Sequence, residues 1–257
     1  MKKLAVPAVL STVLAMPALA DTAIGLAGDR TLVMIDLAAG QVTGMTEINY
    51  DGRIHGIDYR PATDSLIAVT DAFDVVEIDP QTGEWSLITR MESGMDMADG
   101  APVIVDINPA VDALRFMSGI TNHRVNLATG AVMVDGDLNF ADGSEGMPMV
   151  GGTAYSNSLG RPESTAMFNI DTDRGALLRQ TAPNDGDNMV VGALGVMIEG
   201  PIGFDIVTDA EGANTAWLAA NGGLHTVSLE DGSITGSWQI AALDVALRDL
   251  TVMMSAD

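Results

Sequence analysis

Three aspartates recur in one local setting: Asp58 in GIDYRPATD, Asp106 in IVDINPAVD and Asp205 in GFDIVTD. Each stands among apolar residues that alternate with polar ones, just before a turn. Carboxylates repeated in this way could do three kinds of chemistry. They could accept backbone N–H groups of neighbouring strands, recurring only because the surrounding unit recurs. They could converge on a cation. They could also supply the acid and base of a glycosidase, which needs two carboxyl groups at a fixed separation. The first reading is the main one, because no glutamate stands at an equivalent position to serve as proton donor. No catalytic residues are therefore assigned. Asp58, Asp106 and Asp205 remain the candidate ligand-binding residues, and their charge favours a cation or a hydroxyl-rich molecule.

A second acidic stretch, Asp135-Gly136-Asp137-Leu138-Asn139, is followed by Asp142 and Glu145. An EF-hand loop wants glycine at its sixth place and glutamate at its twelfth. This chain has Phe140 and Gly146 there, so the expectation is at most an irregular Ca2+ site over Asp135, Asp137 and Asn139, the one cofactor considered. Methionines cluster at Met91, Met95 and Met97 and again at Met147 and Met149. Thioethers suit Cu(I), but more often they fill gaps beneath loops. His55, His123 and His225 fall at unrelated positions. There is no G-x-S-x-G elbow, Walker loop or H-E-x-x-H, and no cysteine to act as nucleophile or zinc ligand.

The elements that position these residues are short strands. From His55 to Ile88 four segments of alternating polarity are separated by Pro61-Ala62-Thr63-Asp64, Asp71-Ala72-Phe73 and Pro80-Gln81-Thr82-Gly83. Variants of the unit recur, with Asp58, Asp106, Ala154, Asp205 and Thr251 at equivalent places, 48, 48, 51 and 46 residues apart. A period of this size with four strands per unit is the signature of a β-propeller. The units read as 54–90, 102–138, 149–194 and 201–240, with the third strand of 149–194 unplaced. Residues 21–48 supply only three strands. The expected fold is an all-β, five-bladed propeller whose first blade is closed by the C-terminal strand Leu247–Met254 pairing with Thr22–Gly28, which also removes exposed sheet edges. One turn recurs between the last two strands of a blade: Asp36, Asp79, Asn126 and Ser228 bind the backbone ahead, and Gly40, Gly83, Gly130 and Gly232 supply positive φ.

The phrases GIDYRPATDSLIAV, VDINPAVDALRF, HRVNLATGAV, VVGALGV and GPIGFDI resemble the exported propeller-like family catalogued as domain of unknown function 4394. The resemblance covers nearly all of the chain after residue 20, with Ile104 standing where the family usually has glycine. It implies a secreted propeller and brings no activity and no catalytic residues.

Composition sets the remaining expectations. Lys2 and Lys3, the apolar run Leu4–Ala15 and Ala18-Leu19-Ala20 read as a signal peptide over 1–20, leaving 257 − 20 = 237 residues as a single domain, 21–257. The run is too short to span a membrane. Removing it leaves 12 − 2 = 10 basic residues, all arginine, against 35 acids, a net charge of −25. Such a surface repels nucleic acid and anionic lipid. With no cysteine the fold rests on packing and pairing alone. The expected protein is exported, periplasmic or secreted, and monomeric. It serves as a non-catalytic binding module for a small-molecule, glycan or protein ligand, with a carbohydrate-active hydrolase or a periplasmic metal-binding protein as alternatives. The long connections 89–101, 139–148 and 195–200 are expected to share one face and carry the ligand there, over the mouth of an axial channel near Asp58, Asp106 and Asp205.

Overall fold

The computed structural model describes residues 22–97, 100–241 and 243–253, and the segment 1–20, read above as a signal peptide, lies outside them. The described chain is all strand and turn, arranged as five small sheets in a ring. Blade one contains β1 (Thr22–Ala27), β2 (Thr31–Asp36) and β3 (Gln41–Glu47). Blade two is β4 (Ile54–Arg60), β5 (Ser65–Thr70), β6 (Asp74–Ile78) and β7 (Trp85–Arg90). Blade three is β8 (Val103–Asn108), β9 (Ala113–Ser118), β10 (Thr121–Asn126) and β11 (Val132–Val134). After β12 (Asn139–Phe140), blade four follows as β13 (Val150–Tyr155), β14 (Met167–Asp171), β15 (Ala176–Ala182) and β16 (Asp187–Ala193). Blade five is β17 (Gly203–Thr208), β18 (Asn214–Ala220), β19 (Gly223–Val227) and β20 (Ile234–Gln239). The last strand, β21 (Leu247–Met253), pairs antiparallel with β1, placing Ile24 opposite Thr251. It is the missing inner strand of blade one, as the count of strands implies.

The inner strands form the ring themselves. Around the axis β21 packs on β4, β4 on β8, β8 on β13, β13 on β17, and β17 returns to β21. Each junction between blades holds its own apolar core. Blades one and two meet over Ile24, Leu26, Ile54 and Ile57, and blades two and three over Val69, Val105 and Phe116. Blades four and five meet over Ile170, Phe204 and Leu218, and five and one over Val33, Leu224 and Leu250. The blade three–four core is the smallest, six buried residues. A polar network stands in for the missing apolar volume: buried Arg115 donates to Tyr155 and Asn184 of blade four and to Asn122 and Asp135 of its own blade. Because every blade is sandwiched, the inner strands β13 and β17 are buried on both faces, whereas the outer strand β3 alternates. Half-buried alternation thus holds for β3 and not for the inner strands or for outer strand β7.

The recurring turn serves a second purpose. Asp36, Asp79 and Asn126 accept backbone N–H groups of their own turns at 2.8–2.9 Å, and Gly40, Gly83, Gly130 and Gly232 have φ of 61–79°. In addition, Gly83 lies against the Glu47 carbonyl of the preceding blade, and Gly130 against that of Arg90, so closely that no Cβ fits. The glycines therefore allow blades to dock as well as turns to close.

Two segments depart from the expected layout. Residues 139–148 reach the long-loop side only at their end, where Arg174 in the β14–β15 turn donates to the carbonyls of Glu145 and Met147. They run along the outer edge of blade four, where β12 pairs parallel with β16 and Asp142 accepts the Val190 N–H. Conversely, the longest connection from an inner strand to its neighbour, 156–166 in blade four, emerges on the face that otherwise carries short turns.

Candidate functional site

At the axis the equivalent positions of the repeat make a belt of side chain-to-backbone links. Asp58 Oδ2 accepts the Ile107 N–H at 2.6 Å, Asp205 Oδ2 accepts the Val252 N–H at 2.6 Å, and Thr251 Oγ1 accepts the Tyr59 N–H at 2.9 Å. At the Asp106 junction the corresponding amide is that of Tyr155, which opposes the rise in the Asp106 pKa. Each link runs from one inner strand to the residue after the equivalent position on the next. The geometry thus carries the amide-binding arrangement. The fifth position is Ala154, which has nothing to offer, and there the blades are joined differently. Ser158, in the long 156–166 loop, donates to the Ile206 carbonyl at 2.8 Å, and its amide donates to Thr208 Oγ1 at 2.7 Å. One layer along the axis, Asp249 Oδ2 accepts the Ile57 N–H at 2.8 Å.

The same register that serves the amides brings the carboxylates together. One oxygen from each of Asp58, Asp106 and Asp205 lies within 4.8 Å of the other two. Burial, reinforced by their mutual repulsion, drives Asp58 and Asp106 well above the ordinary carboxylate range. Burial likewise lifts Asp205 to about 6 and Asp249 to about 7, offset in part by the amides they bind. The three acids border a cavity of about 10 Å³ together with Pro61 and Ser158, on the short-turn side. A space that size holds about one water or ion and no sugar ring, so a glycosidic bond does not reach these carboxylates.

The large cavity lies at the other end of the axis. It has a volume of about 960 Å³ and is bordered by parts of all five blades. His55, Val103, Gly151, Ile202 and Arg248 begin or adjoin the inner strands, and Met97, Gly100 and Gly200 come from the long connections. Sequence reasoning placed the channel acids at this mouth, but they sit deeper, and guanidinium groups line the mouth instead. Arg248 donates to the carbonyls of Gly28, Asp29, Ile54 and His55, and burial lowers it to about 10, leaving it charged at neutral pH. Arg53 pairs with Asp29 through one nitrogen at 2.5 Å and is half exposed. Two of the ten arginines thus converge on one opening of a strongly acidic chain. The signal missed in the sequence was that Arg53 and Arg248 each stand just before or within an inner strand.

The remaining candidates are accounted for by packing. The Asp135 side chain is buried and both its oxygens accept guanidinium N–H groups, from Arg115 at 2.7 Å and Arg124 at 2.7 and 2.8 Å. Asn139 donates to the carbonyls of Asp137 and Asp185. An aspartate held by two cations is a poor calcium ligand. Met91 and Met95 are buried in the blade two–three core, and Met147 and Met149 are exposed elsewhere.

The family model described as Domain of unknown function (DUF4394) matches residues 31–251. The chain belongs to that family. Curated proteins offer this DUF4394 member no match. Among solved structures, a protein of unknown function from Bacteroides thetaiotaomicron is 16% identical, with a TM-score of 0.52 over 77% of this chain and 53% of that one. A luciferin-regenerating enzyme is 11% identical, with a TM-score of 0.50 over 86% of this chain and 72% of that one. An auxiliary nutrient binding protein from Bacteroides thetaiotaomicron is 10% identical, with a TM-score of 0.50 over 85% of this chain and 56% of that one. The chain spans about half the length of the two Bacteroides proteins. At such identities the likeness is one of fold. No helix among the described residues is long and apolar enough to cross a membrane.

Proposed function

We propose that this chain is an exported, non-catalytic binding module that takes a hydroxyl-rich small molecule or glycan carrying a carboxylate in the cavity on its long-loop face. The observation that carries the reading is that cavity: about 960 Å³, centred on the axis and bordered by all five blades. That is the upper end of the range for small-ligand sites, roughly 300–1,000 Å³. Arg53 supports the choice of an acid-bearing ligand, since it borders the opening, is half exposed, and bonds Asp29 through one of its nitrogens. A guanidinium matches a carboxylate with two parallel N–H bonds. Among the described residues bordering the cavity Asp29 is the one carboxylate, so the carboxylate pair that a glycosidase needs does not stand there. Export rests on the leader-like residues 1–20.

The test is a thermal-shift screen of neutral sugars against sugar acids, followed by calorimetry. A sugar acid should bind, Arg53→Ala should weaken it at least tenfold, and Ala101→Trp should block it while the free protein melts unchanged. Shortening 89–101 is a poorer test, because Met91 and Met95 belong to the core. A ligand that binds Ala101→Trp as tightly as the wild type would place the site elsewhere.

A further inference from the structure

The cluster of Asp58, Asp106 and Asp205 is not explained by the amide belt alone. A belt needs one acceptor per junction, and Thr251 shows that a hydroxyl suffices. Three carboxylates instead crowd one point, buried, each within 4.8 Å of the others through one oxygen. Asp58 and Asp205 have hydrogen-bond donors on both oxygens. Asp106 differs: it is 4% exposed, it borders the small cavity, and its Oδ1 is buried with no hydrogen-bond partner. An orphaned carboxylate oxygen beside two further carboxylates is a costly arrangement unless something positive sits among them.

We propose that a single calcium-sized cation lies between Asp58, Asp106 and Asp205 and ties blades two, three and five together at the axis. Three points no more than 4.8 Å apart share a centre at most 4.8/√3, about 2.8 Å, from each. Calcium binds oxygen at about 2.3–2.6 Å and tolerates irregular geometry, so a few tenths of an ångström of contraction complete the contact. Magnesium, at about 2.0–2.1 Å and strictly octahedral, fits worse. The adjoining cavity of about 10 Å³ admits one such ion and little else. An ion met by Asp106 through Oδ1 gives that oxygen the partner it lacks, and each of the other two carboxylates keeps a lone pair beyond its hydrogen bonds, since a carboxylate offers about four. The site is distinct from the loop-face cavity and does not depend on the function proposed for it.

The probe is CaCl2 alone, titrated by calorimetry into chelator-stripped wild-type protein in 0.5 M NaCl, which screens diffuse binding to the acidic surface. One calcium should bind per chain, and the melting temperature should rise by several degrees. Asp106→Asn should lose that stoichiometric site and at least four-fifths of the shift. Should the variant fail to fold, the wild-type titration decides by itself. No saturable site in the wild type overturns the proposal, and so does equal calcium uptake by a folded Asp106→Asn.

Discussion

His55 sits between Phe73 and Phe116, with ring centroids 5.7 and 6.2 Å away, and its Nε2 is buried with no partner. Burial lowers its pKa below the ordinary value. The sign follows from linkage: below about 6.5 the unfolded chain takes up a proton that the folded imidazole resists, so this residue's contribution is lost as pH falls through that range. Replacing a buried, unpaired polar ring by an apolar one of similar size removes both penalties. His55→Phe should therefore melt above the wild type at pH 7.5, and the gap should widen at pH 5. Thermal melts at the two pH values check it, and a gap that narrows toward acid contradicts the assignment of a neutral, unpaired imidazole. Asp135 shows the opposite situation, a buried charge fully matched by Arg115 and Arg124.

Elements in this fold are joined by turns that must also fit the neighbouring blade. Gly119 and Gly130 separate the two demands. Both have positive φ, 58° and 76°, but a Cβ on Gly119 meets nothing within 4 Å, whereas one on Gly130 drives into the Arg90 carbonyl. Glu92 also donates its N–H to the Gly130 carbonyl, so the turn and the strand end are bonded as well as touching. Alanine in the left-handed region costs about 1–2 kcal/mol, and overpacking adds about 1–3 kcal/mol. Gly119→Ala should lose only the first amount and Gly130→Ala both, measurable by denaturant melts. Equal losses at the two sites would mean that the turn yields and the blades do not dock through it.

The molecule as a whole is held shut by β21. It supplies the inner strand of blade one, places Leu247, Leu250 and Val252 in the core shared with blade five, and brings Thr251 and the Val252 amide to Asp58 and Asp205. Arg248 adds four carbonyl contacts from the same strand. Deleting residues 247–257 removes a strand, a core face and two links of the axial belt at once. The truncated chain should lose its cooperative transition or melt at least ten degrees lower. If calorimetry finds it within a degree or two of the intact protein, the ring is not closed by this strand.

The repeat, the five blades, the closing strand and the Asp/Gly turns were legible in one dimension because they rest on local chemistry. Alternating polarity marks strands, and residues that bind their own backbone or accept positive φ mark turns. Blade four resisted because its inner position is Ala154, its first connection is eleven residues long, 156–166, and a fifth strand, β12, arrives from outside the repeat. What tertiary structure alone decided are relations across the ring. Asp58 and Asp205 share Thr251, 193 and 46 residues away, and Asp135, read as a calcium ligand, is claimed by Arg115, 20 residues back on β9. The long-loop mouth is lined by Arg53, His55 and Arg248 while the acids face the other way. A side chain's position along an inner strand sets which end of the axis it serves, and its partners are whatever the closed ring brings opposite. Neither is written in the period of the sequence.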